Sequence, residues 1–163
     1  MAMTQWFLIM KLLVALGCGL VAGVFFAFST FVMPALARLQ PHQGIAAMQS
    51  INITAINPLF MTTLFGTAFA CLFLAISVLF KWHQPDVYLL VGSMFYLIGS
   101  VAVTIAFNVP LNDALASVKP DSTEGALWAK YLNNWTLWNH VRTIAALVAA
   151  TLFTLALSQR VKL

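Results

Sequence analysis

Four long apolar runs constrain this chain more than any other feature of its sequence. A helix needs about 20 apolar residues to cross the hydrocarbon core of a bilayer. The first three runs reach that length, and the fourth reaches it with Asn139 and His140 at its mouth. The runs cover approximately residues 6–32, 58–80, 87–107 and 139–157. We therefore predict an all-α fold, an integral membrane four-helix bundle that forms a single transmembrane domain over residues 1–163.

The composition excludes an ordinary soluble domain. Hydrophobic residues make up 62% of the chain and charged residues 7%, and eight Lys and Arg with four Asp and Glu cannot coat a soluble core. The charges stand singly at segment ends, as membrane flanks do, so the net charge of +4 does not indicate a nucleic-acid partner. Lys11 alone lies deep in a run, and we expect it to extend to the near interface. The first run is too long for a signal peptide, so we predict a retained helix.

The connections between the runs are unequal in length. Residues 81–86 form a short turn, whereas residues 33–57 and 108–138 form long connections. With four spans, both long connections emerge on one membrane face, and the termini share the other face with the short turn. Each face has four Lys or Arg, but those on the terminal side sit at helix ends near one membrane plane, so we expect cytoplasmic termini.

Both long connections are predicted to be partly helical. The first reads as an amphipathic helix on the membrane surface, interrupted by Pro41 and Gly44. In the second, a helix begins near Thr123 and continues into the fourth span.

Small and polar residues predict how the spans pack. Four small residues at four-residue spacing in the first span predict close backbone contact: Ala15, Gly19, Gly23 and Ala27. Two polar stripes should turn inward, since lipid offers hydroxyls and amides no partner. They serve either as interhelical hydrogen bonds or as the lining of a cavity open toward the long connections. The third span carries Ser93, Tyr96, Ser100, Thr104 and Asn108; the fourth carries Thr136, His140, Thr143, Thr151, Thr154 and Ser158.

Unusual polar residues gather where the spans meet the long connections. We predict His140 as the catalytic residue, because it is the only histidine at the mouth of a span. Helical geometry turns His140 into the bundle, and directs Arg142 toward a neighbouring segment or the headgroups. Alternatives stay open: His140 as a structural hydrogen-bonding residue, tryptophans as interfacial anchors, and Asn57 and Asn112 as helix caps. The predicted substrate-binding residues are Ser29, Asn57, Asn108, Asn112, Trp135, Asn139 and Arg142.

The sequence assigns no cofactor and no metal. A haem between spans normally needs two facing histidines, and the spans provide one because His83 lies at the opposite face. A metal site formed by His42, His140 and Asp113 is possible, but the sequence spacing of these residues does not match a known metal-ligand motif. Cys18 and Cys71 fall inside apolar runs and read as buried free thiols. No acid lies within a span, which argues against a proton-driven transporter.

Four motifs resemble the anthrone oxygenase-like family of small four-helix membrane proteins. They are Phe-x-Phe-Ser-x-x-Val-Met-Pro-Ala-Leu from residue 26, Asn-Pro at 57, Asn-Val-Pro-Leu-Asn-Asp-Ala-Leu from 108, and Trp-x-x-Trp-Asn-His-Val-Arg from 135. The resemblance covers nearly the whole chain, and its last two motifs are the most specific. The family is named for fungal members that oxidise anthrones to anthraquinones.

The resemblance implies a membrane-embedded oxygenase acting on a lipophilic aromatic or quinone-type substrate. Removal of one proton from an anthrone gives an enolate that reacts directly with oxygen, and histidine is a suitable base. Amides such as Asn108 are expected to stabilise the enolate oxygen. The alternative is a non-catalytic protein that binds lipid or a small molecule, or an accessory subunit. The partners expected on either hypothesis are the lipid bilayer and a lipophilic small molecule.

Overall fold

The computed structural model describes residues 2–80, 86–119 and 125–159 and is helical throughout these ranges except for short turns. Four helical spans are long and apolar enough to cross a membrane: Gln5–Leu36, Pro58–Leu79, Val87–Ala116 and Gly125–Ser158. The predicted all-α membrane bundle is therefore confirmed, and the chain is an integral membrane protein. The predicted short turn at 81–86 and His83 lie largely or wholly outside the described residues.

The first and third spans are longer than predicted because helix continues through their prolines. Span one consists of α1 (Ala2–Ala27), a π-helical turn (Phe28–Val32) and α2 (Met33–Leu36). Span three consists of α5 (Val87–Met94), two π-helical segments (Phe95–Ala102 and Thr104–Asn108) and α6 (Val109–Ala116). Pro34 and Pro110 each occupy the first turn of the helix after a π-helical turn, where a missing backbone N–H is tolerated.

The second and fourth spans are single α-helices. Helix α4 (Pro58–Leu79) begins at Asn57, whose side chain accepts a hydrogen bond from the Phe60 backbone N–H at 3.0 Å. Helix α7 (Gly125–Ser158) runs unbroken from the second long connection to the end of span four. The predicted continuity of this helix is confirmed from Gly125 onward, while Thr123 lies outside the described residues.

The two long connections pack against each other at one end of the bundle. Helix α3 (Pro41–Ala55) lies across α6 and the first turns of α7. Gln49 Nε2 donates to the carbonyl oxygens of Leu115 and Val118, both at 2.8 Å. The apolar core of this cap is formed by Met33, Leu36, Ile45, Met48, Leu115, Trp128, Tyr131 and Trp135.

Gly44 does not interrupt α3, as the sequence had predicted, but lies inside the helix. A Cβ atom at this position would stand 2.5 Å from Trp128 Cζ2. The glycine therefore lets the Trp128 ring approach the α3 backbone, and its helix-breaking tendency is overridden by this contact.

The predicted packing role of the small-residue ladder in span one is wrong within this chain. Gly19 and Gly23 are exposed, and a Cβ atom on either would meet nothing within 4 Å. The buried face of α1 is instead the one that carries Val14, Gly17, Cys18, Val21 and Phe25. Small size permits close approach but does not select the face, and the larger apolar residues bury more surface there.

Lys11 is buried and its Nζ donates to Asp86 Oδ2 at 2.9 Å, which joins span one to the start of span three. Asp86 also accepts from the Tyr88 backbone N–H and caps α5. The lysine is thus paired with the residue that caps the start of α5. This pair is the one salt bridge among the described residues.

Candidate functional site

A buried arginine on span four is the centre of the candidate site. Arg142 is 5% exposed. Its Nη2 donates to Asn139 Oδ1 at 2.6 Å and its Nη1 donates to Thr104 Oγ1 at 3.1 Å. The guanidinium carbon lies 4.2 Å from the ring centre of Phe25 and 5.1 Å from that of Trp135. Two aromatic faces and two neutral oxygens therefore surround the cation.

Asn139 connects this arginine to span one. Its Nδ2 donates to the Phe25 carbonyl oxygen and to Ser29 Oγ, both at 2.7 Å. The Ser29 and Thr143 hydroxyls are 3.2 Å apart, and Thr143 Oγ1 donates to the Asn139 carbonyl oxygen at 2.7 Å. Every polar atom of the Asn139 side chain is thus committed, which fixes the position of the oxygen that holds Arg142.

The π-helical turns supply polar residues to the same place. Ser29 lies in the π-helical turn of span one, and Thr104 and Asn108 lie in the second π-helical segment of span three. In these turns Met33 and Val109 donate to carbonyl oxygens five residues earlier, those of Phe28 and Thr104. Such turns often occur at functional sites. We call the following group the Arg142 cluster: Ser29, Thr104, Asn108, Asn139, Arg142 and Thr143.

Two buried polar atoms in this cluster have no hydrogen-bond partner among the described residues: Arg142 Nε and Asn108 Oδ1. Asn108 is 1% exposed, and its Nδ2 donates to the Trp135 carbonyl oxygen at 3.2 Å. The residues that the structure describes also place no carboxylate beside Arg142. The cluster consequently presents one free donor, one free acceptor and an unbalanced positive charge, in a region where each is costly.

A second hydrogen-bonded group lies one turn closer to the cap. Asn112 Oδ1 accepts from Tyr131 Oη at 3.0 Å and from Trp135 Nε1 at 2.8 Å. Asn112 lies inside α6 and does not cap a helix. The Trp135 ring packs on Phe28, with 5.5 Å between ring centres. Trp135 therefore lies between Arg142 and Phe28, inside the bundle, and is not an anchor in the headgroups.

The predicted orientation of His140 is wrong, whereas Arg142 takes the first of its two predicted orientations and faces neighbouring segments. Arg142 is buried and His140 is exposed on the outer face of span four. The buried face of α7 carries Asn139, Arg142, Ala146, Ala149 and Phe153, and it packs against span one. Small alanines allow this close contact, whereas the His140 side continues into the exposed Ile144 and Leu147.

The predicted polar stripe of span four also fails to turn inward along its length. The hydroxyls of Thr151 and Thr154 donate to the carbonyl oxygens four residues earlier, those of Leu147 and Ala150, at 2.9 and 2.8 Å. These residues can therefore face outward without an unsatisfied donor. The stripe of span three behaves as predicted, because Ser93, Tyr96, Ser100 and Asn108 are all buried.

The structure brings six of the eight predicted site residues together: Ser29, Asn108, Asn112, Trp135, Asn139 and Arg142. His140 is adjacent in sequence but faces away. Asn57 lies apart from the cluster and caps α4, as the alternative hypothesis held.

The sequence did not predict Phe25 as a site residue. Thr104 and Thr143 were predicted only as members of the polar stripes. The available signal for Phe25 was its position one helical turn before Ser29.

Among the described residues, grooves open on the outer surface of the bundle, and two of them border span one. One, of about 390 Å³, is lined by Val24, Phe28, Ser50, Ile51, Thr54, Ala55, Asn57 and Phe60. The other, of about 590 Å³, follows the small-residue ladder of span one. Of the two polar stripes, only Thr104, Asn108 and Thr143 belong to the hydrogen-bonded cluster, and no stripe residue lines either groove. Across the described residues, no group of three or more His, Cys, Asp and Glu side chains is arranged to hold a metal ion.

Of three comparisons with known proteins, one finds a match. A search of curated proteins and a search of solved structures find no match. The anthrone oxygenase family model matches residues 55–152. The match begins at the end of α3 and includes Asn108, Asn112, Trp135, Asn139 and Arg142, and it spans more than half of the chain. This chain therefore belongs to the anthrone oxygenase family.

Proposed function

We propose that this protein is a membrane-embedded enzyme that uses oxygen to oxidise a lipophilic, enolisable aromatic ketone, and that Arg142 binds the enolate oxygen. One observation carries the proposal: a buried guanidinium with an unpartnered Nε and no carboxylate beside it among the described residues. Burying a lone ion costs several kcal/mol. A site that retains such an ion is suited to a ligand that brings the missing negative charge.

The chemistry of an anthrone-type substrate fits this charge. Loss of one proton from the CH₂ group beside the rings gives an enolate, whose oxygen would accept from the Arg142 Nε–H. The enolate carbon then attacks O₂, and protonation of the peroxide gives a hydroperoxide. Loss of the second C–H proton and cleavage of the O–O bond form the new C=O group and release water. The balance is CH₂ + O₂ → C=O + H₂O, and O₂ is the only oxidant needed.

The cluster would act on the first of these steps. A fixed cation in a site shielded from water stabilises a developing anion more than water does, because its donors are already oriented. Asn139 and Thr104 would act as positioning residues, since they hold both terminal nitrogens of Arg142. The free Asn108 Oδ1 would accept a hydrogen bond from a hydroxyl group next to the ketone, as in a hydroxyaryl ketone.

The proton acceptor is a separate question. His140 as the base stays a prediction, and its exposed position requires that substrate or water approach it from the outer face of span four. His140→Gln retains hydrogen bonding but cannot accept a proton near neutral pH. If His140 is the base, the variant folds and binds ligand but loses turnover about 10²–10⁴-fold.

The decisive experiment replaces Arg142. We would measure O₂ uptake and quinone absorbance with 1,8-dihydroxyanthrone in nanodiscs, corrected for the rate without protein. Arg142→Met should lower turnover by about 10²-fold or more, the scale for loss of one oxyanion donor. Arg142→Lys keeps the charge but not the planar fork and should fall in between. Thr151→Val is the control, because the exposed Thr151 hydroxyl bonds only its own helix.

Wild-type turnover in a folded Arg142→Met protein would refute the oxyanion role. Ligand binding by the wild type without turnover above background would favour the alternative, a non-catalytic binding protein. We also propose that the termini face the cytoplasm and the α3–α6 cap faces the opposite side, which the basic residues at the terminal helix ends support.

A further inference from the structure

Two aromatic rings in series, those of Phe28 and Trp135, separate the groove beside α3 from the Arg142 guanidinium. Phe28 lines the groove with one face. Its ring centre lies 5.5 Å from that of Trp135, whose own ring centre lies 5.1 Å from the Arg142 guanidinium carbon. Ser29, the next residue, accepts from Asn139 within the cluster. One π-helical turn therefore faces the groove with one residue and the cluster with the next.

The groove is a shallow and mostly open depression, which suits a flat molecule bound by one face. Its volume of about 390 Å³ is within the range of small-molecule sites. Its walls come from span one, α3 and the start of span two, and they are mostly apolar, with Phe28 and Phe60 as aromatic surfaces. The polar lining residues, Ser50, Thr54 and Asn57, stand at the cap end. Thr54 and Asn57 are already bonded within the chain, so they would tolerate an apolar occupant.

The groove is also open on the outside of the bundle, where a lipophilic molecule dissolved in the membrane would arrive. Val24, which lines the groove on span one, is itself exposed, and so is Leu59, the residue before Phe60 on span two. A molecule that partitions into lipid could thus reach the groove without crossing water.

We propose that this groove binds the apolar rings of a lipophilic aryl ketone and leads its oxygen-bearing edge to the Arg142 cluster. This inference rests on the function proposed above. Phe28 and Trp135 form the wall that the ligand must displace to reach the guanidinium. We expect the half-buried Phe28 to be the ring that moves, because Trp135 is held by its hydrogen bond to Asn112.

The test uses photolabelling, which requires binding but no turnover. 4-Hydroxybenzophenone is a lipophilic hydroxyaryl ketone, and on irradiation its carbonyl carbon bonds to a nearby C–H carbon. With wild-type protein in nanodiscs, mass spectrometry should locate the label on peptides that contain residues 24–28 or 50–60. Excess 1,8-dihydroxyanthrone should compete for this labelling.

Two variants fill the groove. Ala55→Trp and Thr54→Trp should each lower this labelling at least tenfold, and Thr54 is exposed, so a bulky residue there does not disturb the core. Ile144→Trp adds the same ring to an exposed position on the other side of the bundle and should leave labelling unchanged. In the oxidation assay, the groove variants should raise KM about tenfold and change kcat little.

Labelling spread over the lipid-exposed surface, or unchanged in both groove variants, would overturn the inference, and so would a retained lipid in the groove that the anthrone does not displace. These outcomes are separable from failure of the proposed function. Groove labelling without turnover would support the binding site and refute the proposed enzymatic function. Turnover that depends on Arg142 but is unaffected in both groove variants would support the enzymatic function and refute the groove as the binding site.

Discussion

Two glycines two residues apart in span one should respond oppositely to the same substitution. Gly17 is buried against span two, and a Cβ atom there would overlap Thr67 Oγ1 and stand 3.2 Å from Thr67 Cβ and Cγ2. Gly19 is exposed, and a Cβ atom there would meet nothing within 4 Å. We expect Gly17→Ala to destabilise the bundle and Gly19→Ala to stabilise it.

The magnitudes follow from two terms. Alanine in place of glycine inside a helix is worth about 1 kcal/mol, and this gain applies equally at both positions. At Gly17 the added methyl group overpacks a helix contact, which typically costs about 1–3 kcal/mol. Rotation of Thr67 about χ1 brings little relief, because two of its other carbon atoms are already as close as 3.2 Å. The difference between the two variants isolates the overpacking term, so we expect about 1–3 kcal/mol.

The measurement is the free energy of unfolding of each variant in mixed micelles titrated with SDS. Thr67→Ala removes Oγ1 and Cγ2, two of the three atoms that the new methyl group meets, and leaves Cβ at 3.2 Å, so it should rescue most of the stability that Gly17→Ala loses. The coupling energy of this double-mutant cycle should be favourable, within the usual range of about 0.5–3 kcal/mol for residues in contact. Equal stability of Gly17→Ala and Gly19→Ala would refute the assignment of the buried face, as would a destabilised Gly19→Ala.

Three further predictions test other parts of the fold. Lys11→Met alone should cost about 1–3 kcal/mol, because it leaves the partly buried Asp86 carboxylate without its charged partner; Lys11→Met with Asp86→Asn should recover much of this loss, and a single variant as stable as wild type would show that the pair is not formed. Asn57→Ala should lower stability by about 1 kcal/mol through loss of the α4 cap, and a loss of several kcal/mol would contradict a capping role. Cysteines introduced at Gln43 and Lys119 should be labelled by an impermeant thiol reagent from the same side of the membrane, since the native cysteines are buried; labelling from opposite sides would reject the packing of α3 near the second connection.

Span number and approximate extent could be predicted from the sequence, because the width of the hydrocarbon core sets the length of an apolar run. The inward stripe of span three could also be predicted. The Tyr96 hydroxyl and the Asn108 amide do not find hydrogen-bond acceptors within their own helix. Both donate to carbonyl oxygens of neighbouring spans. The family motifs also indicated at which end of the spans the polar residues gather, namely the end that joins the long connections.

The orientation of span four was decided only by the tertiary structure. Apolar residues surround most of this helix, so hydrophobicity does not indicate a buried side. Hydroxyl groups such as that of Thr151 donate hydrogen bonds to carbonyl oxygens of their own helix. The polar stripe therefore does not indicate a buried side either. What turned Asn139 and Arg142 inward was contact with span one, where the Phe25 carbonyl and Ser29 accept hydrogen bonds from Asn139 across more than a hundred residues of chain. Local sequence determines which segments enter the membrane, because burial in lipid is a property of each segment; which face meets which is a property of pairs of segments, and only the folded bundle specifies it.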